Sequence, residues 1–429
     1  MTSSTSLYFH IPFCVHRCAY CDFNTYAGQE AMIPAYVDAL CQEVRVVSKR
    51  LLTTESPKRL TVGTIFFGGG TPSLLSPSQF DSVFRAIRAG FTVTANAEIT
   101  MEANPGACSF DDLLALRSLG INRLSFGAQS ANAEELRMLE RAHDFFDVIE
   151  AVASARKAGF DNLNLDLIYG LPEQTLRTWQ TSVKRVIDLH PEHISAYALT
   201  LEHGTPFGRW AAKGLLPLPD PDLAAEMYEW MSEAFESAGY GQYEISNWAK
   251  TVGSQKSKVE RLTFDLQPLN PVFACRHNLQ YWRSLPYLAF GAGAHGYAFG
   301  YRYSNLLRIK TYIERLAHPQ DDHPVDSSRA LPFSPAVVNH HKQTLQDDMS
   351  EFMMTGLRLT REGVSADEFQ SRFGAPLREV YEKEIEELLK LGLVEWRESS
   401  SSGGNDASAR LRLTPRARLL ANQAFMKFV

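Results

Sequence analysis

Residues 7 to about 200 alternate short apolar runs, typical of buried strands, with amphipathic stretches typical of helices. This alternation with short connections predicts an α/β fold, in which a parallel sheet carries its helices on the outside. A complete barrel of eight repeats needs about 250 residues, so the shorter run here predicts a partial (β/α)6 barrel. The predicted strands cover residues 7–11, 64–67, 98–102, 123–126, 164–169 and 194–200. The predicted helices cover residues 36–50, 77–89, 110–119, 134–139, 145–157 and 175–189.

Polar and glycine-rich residues stand where the predicted strands end, which is the rim that carries function in such folds. Gly68-Gly69-Gly70 follows the second strand, and glycine lets a ligand approach the backbone closely, although a tight turn is the alternative. Glu102 and Asp166 lie in apolar strands. A carboxylate near the sheet interior must be paired or bind something, so each of the two either forms a salt bridge or contacts a ligand.

Three cysteines, Cys14, Cys18 and Cys21, lie within eight residues directly after the first strand. A loop this short can turn three sulfurs toward one point, and no fourth cysteine follows at a useful distance. The spacing suits a [4Fe–4S] cluster with one iron open to another ligand. A structural zinc site completed by His16 or His10 is the alternative, and the spacing alone does not decide between them.

Composition excludes several classes of protein. The net charge of −6 offers no broad attraction for nucleic acid, and no apolar run is long enough to span a bilayer. The first strand begins almost at once, leaving no room for a signal peptide. Six cysteines with three grouped in one loop favour a reducing, cytoplasmic setting over a disulfide framework.

The pattern changes along the chain in a way that predicts three domains: a barrel core at 1–215, an extension at 216–342 and a winged-helix-like module at 343–429. The extension contains an insertion at 251–273 and a proline-rich connector at 323–335. The module is predicted to hold helices at 347–359, 366–372 and 376–391, strands at 393–396 and 410–413, and a last helix through 428. Acidic residues on the third helix would repel phosphate, which favours a structural or docking role over DNA binding: Glu382, Glu384, Glu386 and Glu387.

Several motifs together carry a family resemblance. They are Phe9-His10-Ile11-Pro12-Phe13-Cys14, the CxxxCxxC loop, Gly-Gly-Gly-Thr-Pro-Ser, Glu-Ala-Asn-Pro-Gly and Asp-Leu-Ile-Tyr-Gly-Leu-Pro. The set resembles the radical S-adenosylmethionine superfamily. Within it, the chain resembles the oxygen-independent coproporphyrinogen III oxidase group over nearly its whole length.

The resemblance implies a set of functional residues. Cys14, Cys18 and Cys21 match the three cluster ligands, and S-adenosylmethionine would chelate the fourth iron and be cleaved to a 5′-deoxyadenosyl radical. Gly69, Gly70 and Thr71 match the segment that receives its methionyl end. The other residues that match cofactor contacts, or line the cavity where the oxidase is described as holding a second S-adenosylmethionine, are Tyr8, Tyr20, Glu102, Gln129, Arg141, Asp166 and Ala198.

Two departures and one signature separate the chain from the oxidase and resemble the HemW branch, described as haem chaperones. Phe23 stands where the oxidase has a further cysteine, and the oxidase's long N-terminal extension is missing. The segment His277-Asn-Leu-Gln-Tyr-Trp282 matches the His-Asn-x-x-Tyr-Trp signature of that branch. A histidine can ligate haem iron, so His277 is a candidate haem ligand, with His295 as a second. A hydrogen-bonded structural histidine is the alternative for His277.

Three hypotheses follow. The favoured one is a haem chaperone with a [4Fe–4S] cluster and S-adenosylmethionine, which carries haem as cargo to acceptor proteins such as respiratory enzymes, with peripheral membrane contact. The second is an enzyme of porphyrin biosynthesis that oxidatively decarboxylates the propionates of coproporphyrinogen III. The third is a zinc-bearing winged-helix binding protein, which the acidic charge and the barrel pattern disfavour.

Overall fold

The computed structural model of the chain describes residues 4–53, 59–251, 270–317, 332–398 and 409–429. The chain forms two compact units. The first comprises Met1–Pro191, Ala198–Asp220 and Pro286–Lys342, and the second comprises Glu192–Tyr197, Pro221–Leu285 and Gln343–Val429. Most of the predicted insertion at 251–273 and of the predicted connector at 323–335 lies outside the described residues. The division into three domains stays a prediction.

A parallel sheet forms the centre of the first unit, and its strands lie side by side in chain order. These strands are Thr5–Ile11, Thr61–Gly69, Thr92–Ala103, Arg123–Gln129 and Leu163–Tyr169. The α/β class with a parallel sheet is therefore confirmed, and each predicted strand of this unit is present with longer bounds. On the far side of the first strand the sheet continues with Tyr287–Phe290, which is parallel to it, and then with the antiparallel strands His295–Ala298, Tyr301–Asn305 and Val337–Lys342.

Several helices of the first unit begin after side chains that accept hydrogen bonds from free backbone N–H groups. Ser76 Oγ accepts a hydrogen bond from the Gln79 N–H at 3.3 Å, and Gln79 Oε1 accepts one from the Ser76 N–H at 2.8 Å. The same reciprocal cap precedes the helices that start at Phe110, Phe145 and Leu176. The helices are Ile33–Thr53, Pro77–Gly90, Phe110–Leu119, Ala133–Met138, Phe145–Lys157, Leu176–Asp188, Pro206–Ala212 and Ile309–Ala317.

Stacked phenylalanines fix the register of the first strand. The Phe9 ring lies between Phe67, with ring centroids 4.9 Å apart, and Phe290, at 5.1 Å, and the three residues are also paired in the sheet. Because successive side chains of a strand point to opposite faces, this packing sends Tyr8 and His10 to the other face. The core thus determines which side chains of the first strand are available for chemistry.

The strands of the second unit form two antiparallel groups. One holds His193–Ala198, Asn247–Lys250 and Tyr240–Glu244. The other holds Val364–Ser365, Ala409–Leu413 and Val394–Glu398. The unit's helices are Pro221–Ser237, Arg276–Trp282, Leu345–Gly356, Ala366–Phe373, Leu377–Val380, Glu382–Lys390 and Ala421–Phe425.

Two helix predictions in the C-terminal part of the chain are wrong. The predicted helix 376–391 is interrupted at Tyr381 (φ −121°, ψ 36°). The break places the buried Tyr381 ring against Phe428, with centroids 5.1 Å apart, and Phe369, at 6.0 Å, so aromatic packing outweighs helix continuity. The predicted last helix is a series of short turns, of which only Ala421–Phe425 is α-helical among the residues described after 409. The predicted ribbon also gains a third strand, Val364–Ser365.

Candidate functional site

The cysteine loop is held by backbone hydrogen bonds from the glycine run that follows the second parallel strand. The Gly70 N–H donates to the Ile11 carbonyl and the Thr71 N–H donates to the Phe13 carbonyl, both at 2.8 Å. The far end of the loop returns to the same place, because the Tyr26 N–H donates to the Pro12 carbonyl at 2.7 Å. The two loops predicted to carry the chemistry are therefore bound directly to each other.

Polar groups surround the three thiols. Thr71 Oγ1 lies 3.6 Å from Cys14 Sγ, and Arg141 Nη1 lies 3.7 Å from Cys18 Sγ. Burial raises the pKa of Cys14 and of Cys21, and the nearby Cys18 raises both pKa values further. Thiolates in this loop therefore need a compensating positive charge, which is what a metal cluster provides.

No group of three His, Cys, Asp or Glu side chains in the described part of the chain is placed to hold a metal ion. That finding concerns side chains grouped around one ion, whose sulfur ligands lie about 2.3 Å from the metal when the metal is zinc. A cubic iron–sulfur cluster spreads its ligands over several iron atoms. Ligation of a cluster by these cysteines stays a prediction, and so does the zinc alternative.

Arg141 connects the cysteine loop to two strand ends. Its Nη2 donates to Asn104 Oδ1 at 2.7 Å and to the Gly127 carbonyl at 2.9 Å, and Asn104 Nδ2 in turn donates to Thr71 Oγ1 at 3.3 Å. Its Nε is buried and has no hydrogen-bond partner among the described residues. Burial lowers the pKa of Arg141, but Tyr20 and Cys18 outweigh it and the pKa is raised. The cation is thus kept, with one donor left for a ligand.

The turn before Arg141 adopts an unusual backbone conformation. Glu140 has φ 55°, in the left-handed region that non-glycine residues seldom occupy. His16 Nε2 lies 3.0 Å from Glu140 Oε2. Adjacent side chains of this turn therefore hold two points of the cysteine loop, Glu140 at His16 and Arg141 at Cys18.

A chain of hydrogen bonds runs beneath the cysteine loop. The Tyr8 hydroxyl lies 2.9 Å from His10 Nδ1, and His10 Nε2 lies 2.9 Å from the Asn24 carbonyl oxygen. Burial lowers the pKa of His10 and raises the pKa of Tyr8, so both side chains are neutral. Asn24 Nδ2 donates to the carbonyls of Ala292 at 3.1 Å and Leu307 at 3.0 Å. Asn24, three residues after Cys21, is therefore held through both its backbone carbonyl and its side chain.

The glycine run leaves little space around its own α-carbons. A Cβ at Gly70 would lie 2.6 Å from the Phe13 carbonyl oxygen, and a Cβ at Gly69, which has φ 111°, would lie 2.5 Å from the His10 ring. A Cβ at Gly68 would lie 3.0 Å from a Glu102 carboxylate oxygen. These glycines allow protein segments to meet closely, and the predicted contact with a ligand stays a prediction.

The two strand carboxylates predicted from the sequence lie near each other. Glu102 Oε2 accepts a hydrogen bond from the Gly69 N–H at 3.1 Å. Asp166 accepts from Ser125 at 3.1 Å and from Asn164 at 2.8 Å. Burial and the charge of Asp166 raise the pKa of Glu102 to about 7. Glu102 can therefore gain or lose a proton near neutral pH, which suits a group that meets a charged ligand.

The remaining predicted residues of this site lie nearby or at its margin. Tyr20 is close to Arg141, and its pKa is raised by burial. Gln129 is buried with φ 63°. Its Nε2 and Arg141 Nη2 both lie within 3.0 Å of where a Cβ would stand on Gly127. Ala198 is exposed at the end of its strand.

The two candidate haem ligands have different environments. His277 belongs to the second unit, is 1% exposed and has Nε2 2.8 Å from the Tyr281 hydroxyl. This is the arrangement of a hydrogen-bonded structural histidine, and iron ligation by His277 stays a prediction. In the same unit, the Arg358 guanidinium lies over the Trp282 ring at 4.2 Å. His295 belongs to the first unit and is exposed.

The sequence interpretation missed two residues that organise the site. Asn104 orients both Arg141 and Thr71, and its place in the Glu-Ala-Asn-Pro-Gly motif was the available signal. Asn24 accepts from His10 through its backbone and anchors two distant carbonyls through its side chain. Its position directly after the cysteine loop gave no indication of those contacts.

Family models match both ends of the chain. Residues 8–186 match the radical SAM superfamily, and residues 343–402 match the HemN C-terminal domain. The first match covers the parallel sheet, the cysteine loop and the carboxylates described above. Fold, loop and match together define the class as radical SAM proteins, a class that implies an iron–sulfur cluster and S-adenosylmethionine.

Curated relatives narrow the class. The chain is 35% identical to the heme chaperone HemW of Bacillus subtilis over 99% of both chains, and 32% identical to that of Lactococcus lactis over 99% of this chain and 97% of the other. The Haemophilus influenzae protein of the same name is 39% identical over 68% of this chain and 70% of its own. The chain belongs to the HemW family.

A solved structure confirms the type of fold. The chain is similar to coproporphyrinogen III oxidase (HemN) from Escherichia coli, with a TM-score of 0.75 and 23% identity, over 99% of this chain and 90% of the other. The predicted partial barrel of the radical SAM type is confirmed, and the C-terminal module that was predicted to be winged-helix-like matches the HemN C-terminal domain. No helix in the described ranges is long and apolar enough to cross a membrane.

Proposed function

We propose that this protein is a haem chaperone, which binds haem and passes it to acceptor proteins such as respiratory enzymes. The observation that carries the proposal is the similarity to heme chaperones HemW over 99% of both chains. Phe23 supports it, since the oxidase carries a cysteine at the matching position. The similarity to HemN is a similarity of fold, and it is no evidence that this chain catalyses the oxidase reaction.

The proposal includes a [4Fe–4S] cluster and S-adenosylmethionine. Cys14, Cys18 and Cys21 would hold three irons, and two observations fit this role: burial raises the pKa values of Cys14 and Cys21, and the Arg141 cation lies beside Cys18, where it offsets the negative charge of a thiolate-bound cluster. When bound, the cluster supplies one-electron reduction of S-adenosylmethionine. The buried Nε of Arg141 and the carboxyl group of Glu102 fit the carboxylate and the amino group of that cofactor, respectively.

The other residues matched by the family resemblance complete this proposed site. They would position the cofactor through hydroxyl, amide, carboxylate and backbone groups: Tyr8, Tyr20, Gly69, Gly70, Thr71, Gln129, Asp166 and Ala198. Asn104 belongs with them because it holds Arg141 and Thr71 in place. Ligation of the haem iron by His277 stays a prediction from the family signature, and the chaperone proposal does not depend on it.

A two-part experiment tests the proposal. Anaerobically reconstituted protein is loaded with haem, separated by gel filtration and mixed with haem-depleted respiratory enzyme, and haem transfer is followed by absorbance and recovered activity. In parallel, the protein is given coproporphyrinogen III, S-adenosylmethionine and a reductant. We expect haem retention and transfer, without conversion of the porphyrinogen. Turnover to protoporphyrinogen, or loss of all haem during gel filtration, would overturn the chaperone proposal.

A further inference from the structure

The outer side of the cysteine loop exposes apolar side chains. Val15 is 73% exposed, Phe23 is 62% exposed and Leu307 is 55% exposed. Large apolar side chains exposed together mark a binding surface more often than ones scattered singly. We call the surface formed by these three residues with His16, Arg17 and Arg308 the cluster-loop face.

Hydrogen bonds bring the parts of the cluster-loop face together. Arg17 Nη2 lies 3.4 Å from the Cys21 carbonyl and 3.5 Å from the Phe23 carbonyl. The Leu307 carbonyl accepts hydrogen bonds from Asn24 Nδ2 at 3.0 Å and from the Tyr26 hydroxyl at 3.1 Å. Arg17, Phe23 and Leu307 are therefore linked through their neighbours Asn24 and Tyr26.

The face carries two exposed cations. Arg17 and Arg308 are both exposed. Burial raises the pKa of Tyr26, and Arg308 and Arg17 both act against that rise, so the charges of both guanidinium groups act on one hydroxyl. In a chain with net charge −6, two arginines beside exposed apolar side chains form a local site for an amphiphilic anion.

His16 adds a ligand for a metal. Its side chain is 57% exposed, and its Nε2 lies 3.0 Å from the Glu140 carboxylate. Histidines that ligate metals commonly donate their other ring N–H to a carboxylate, which fixes the tautomer and makes the ligating nitrogen more basic. With Nε2–H directed to Glu140, Nδ1 is the nitrogen that carries the free lone pair.

The geometry points to the cluster-loop face as the binding site of the haem cargo. In this site Val15, Phe23 and Leu307 contact the macrocycle. Arg17 and Arg308 bind the propionates, and His16 ligates the iron. Haem is the occupant because it combines the three features that this surface meets, namely an apolar plane, a pair of carboxylates and an iron that accepts imidazole. This inference rests on the proposed function and assigns the site of its cargo.

The propionate contacts are tested with two forms of the ligand. Haem and its dimethyl ester are titrated into wild type, Arg308→Glu, Arg308→Lys and the exposed control Arg85→Ala. A charge-assisted hydrogen bond is worth enough to change affinity about tenfold. We expect Arg308→Glu to weaken haem binding by about tenfold, Arg308→Lys to recover most of it, and the ester to bind all four proteins alike.

The apolar and iron contacts have matched controls. Phe23→Ser is compared with Phe146→Ser, since both phenylalanines are 62% exposed. His16→Ala is compared with His277→Ala and with the exposed His341→Ala. We expect weaker binding for Phe23→Ser, and a shifted Soret band for His16→Ala alone. Iron and sulfide are assayed in each variant. If a variant of the cysteine loop loses its cluster, the inference is judged by the haem affinity of Arg308→Glu, since Arg308 lies outside that loop.

Each outcome separates the inference from the proposed function. If wild type binds haem and the cluster-loop variants bind it unchanged, the inference is overturned while the chaperone proposal stands. If the haem spectrum is lost only in His277→Ala, the inference is likewise overturned and the chaperone proposal still stands. If wild type binds no haem at all, the proposed function itself fails.

Discussion

Arg141 Nη1 lies 3.7 Å from Cys18 Sγ, although 123 residues separate the two in the chain. The same guanidinium also holds Asn104 and the Gly127 carbonyl. A fixed positive charge therefore stands beside one of the three thiols, at a distance where it stabilises a thiolate and the electron-rich state of anything bound to it.

This contact predicts a change in redox potential. Arg141→Ala should lower the midpoint potential of the reconstituted cluster, because reduction adds negative charge that the arginine no longer offsets. The scale is about 60 mV for each 1.4 kcal/mol of lost interaction. Arg141→Lys should keep most of the wild-type value. Potentiometric titration followed by electron paramagnetic resonance measures the shift.

The control is Arg137→Ala, which removes an exposed arginine of the neighbouring helix Ala133–Met138. It should leave the midpoint potential at the wild-type value. An unchanged potential in Arg141→Ala would show that the cation does not act on the cluster.

The cysteine loop predicts which thiols bind iron. Cys14→Ala, Cys18→Ala and Cys21→Ala should each lose the brown colour and most of the iron and sulfide, because a cubane held at two corners is labile. Cys108→Ala is the matched control, since Cys108 is half-buried like the three loop cysteines. Metal analysis after anaerobic reconstitution decides. Zinc without sulfide in wild type would contradict the cluster.

The contact of Gly70 with the cysteine loop predicts a loss of stability. Gly70→Ala would place a Cβ 2.6 Å from the Phe13 carbonyl oxygen and 2.8 Å from the Ile11 carbonyl oxygen. Overpacking of this kind lowers the free energy of unfolding by about 1–3 kcal/mol. Gly204→Ala is the control, because its Cβ meets no atom within 4 Å. Urea unfolding measures both, and equal stability of the two variants would contradict the packing argument.

Glu102 predicts a pH dependence of stability. Its pKa is about 7 in the folded protein against an ordinary value of 4.5, so the folded state holds a proton that the unfolded state releases. The free energy of unfolding should therefore fall as the pH rises from 4.5 to 7, by roughly 3 kcal/mol from this group. Below pH 4.5 the penalty is absent, and above pH 7 it is complete.

Glu102→Gln should remove that fall and be more stable than wild type at pH 8, while matching it at pH 4.5. Asp166→Asn should shift the upper end of the transition to lower pH, because the charge of Asp166 helps to raise the Glu102 pKa. Chemical unfolding from pH 4.5 to 8 provides the measurement. A Glu102→Gln variant with the wild-type slope would be inconsistent with this assignment.

Local patterns predicted the sheet well, because buried strands and amphipathic helices follow from the period of their apolar residues. Contacts between segments that are distant in the sequence were harder to predict. The turn at Glu140 depends on a left-handed φ at a glutamate, which no propensity indicates, so the sequence could suggest Arg141 only through family resemblance. The glycine run was predicted to receive a ligand, whereas its α-carbons are packed against His10, Phe13 and Glu102. The residues around Tyr381 favour a continuous helix, but the helix is interrupted there because the Tyr381 ring packs against aromatic rings that are distant in the sequence.

The hydrogen bonds of His10 give the Tyr8 hydroxyl a direction. The Asn24 carbonyl can only accept, so His10 Nε2 carries the proton and Nδ1 is the acceptor. The single proton of the Tyr8 hydroxyl is then committed to His10, and only its oxygen lone pairs remain for another molecule. Any group that binds at Tyr8 must bring its own hydrogen, as an ammonium or hydroxyl does, and a bare carboxylate is rejected there.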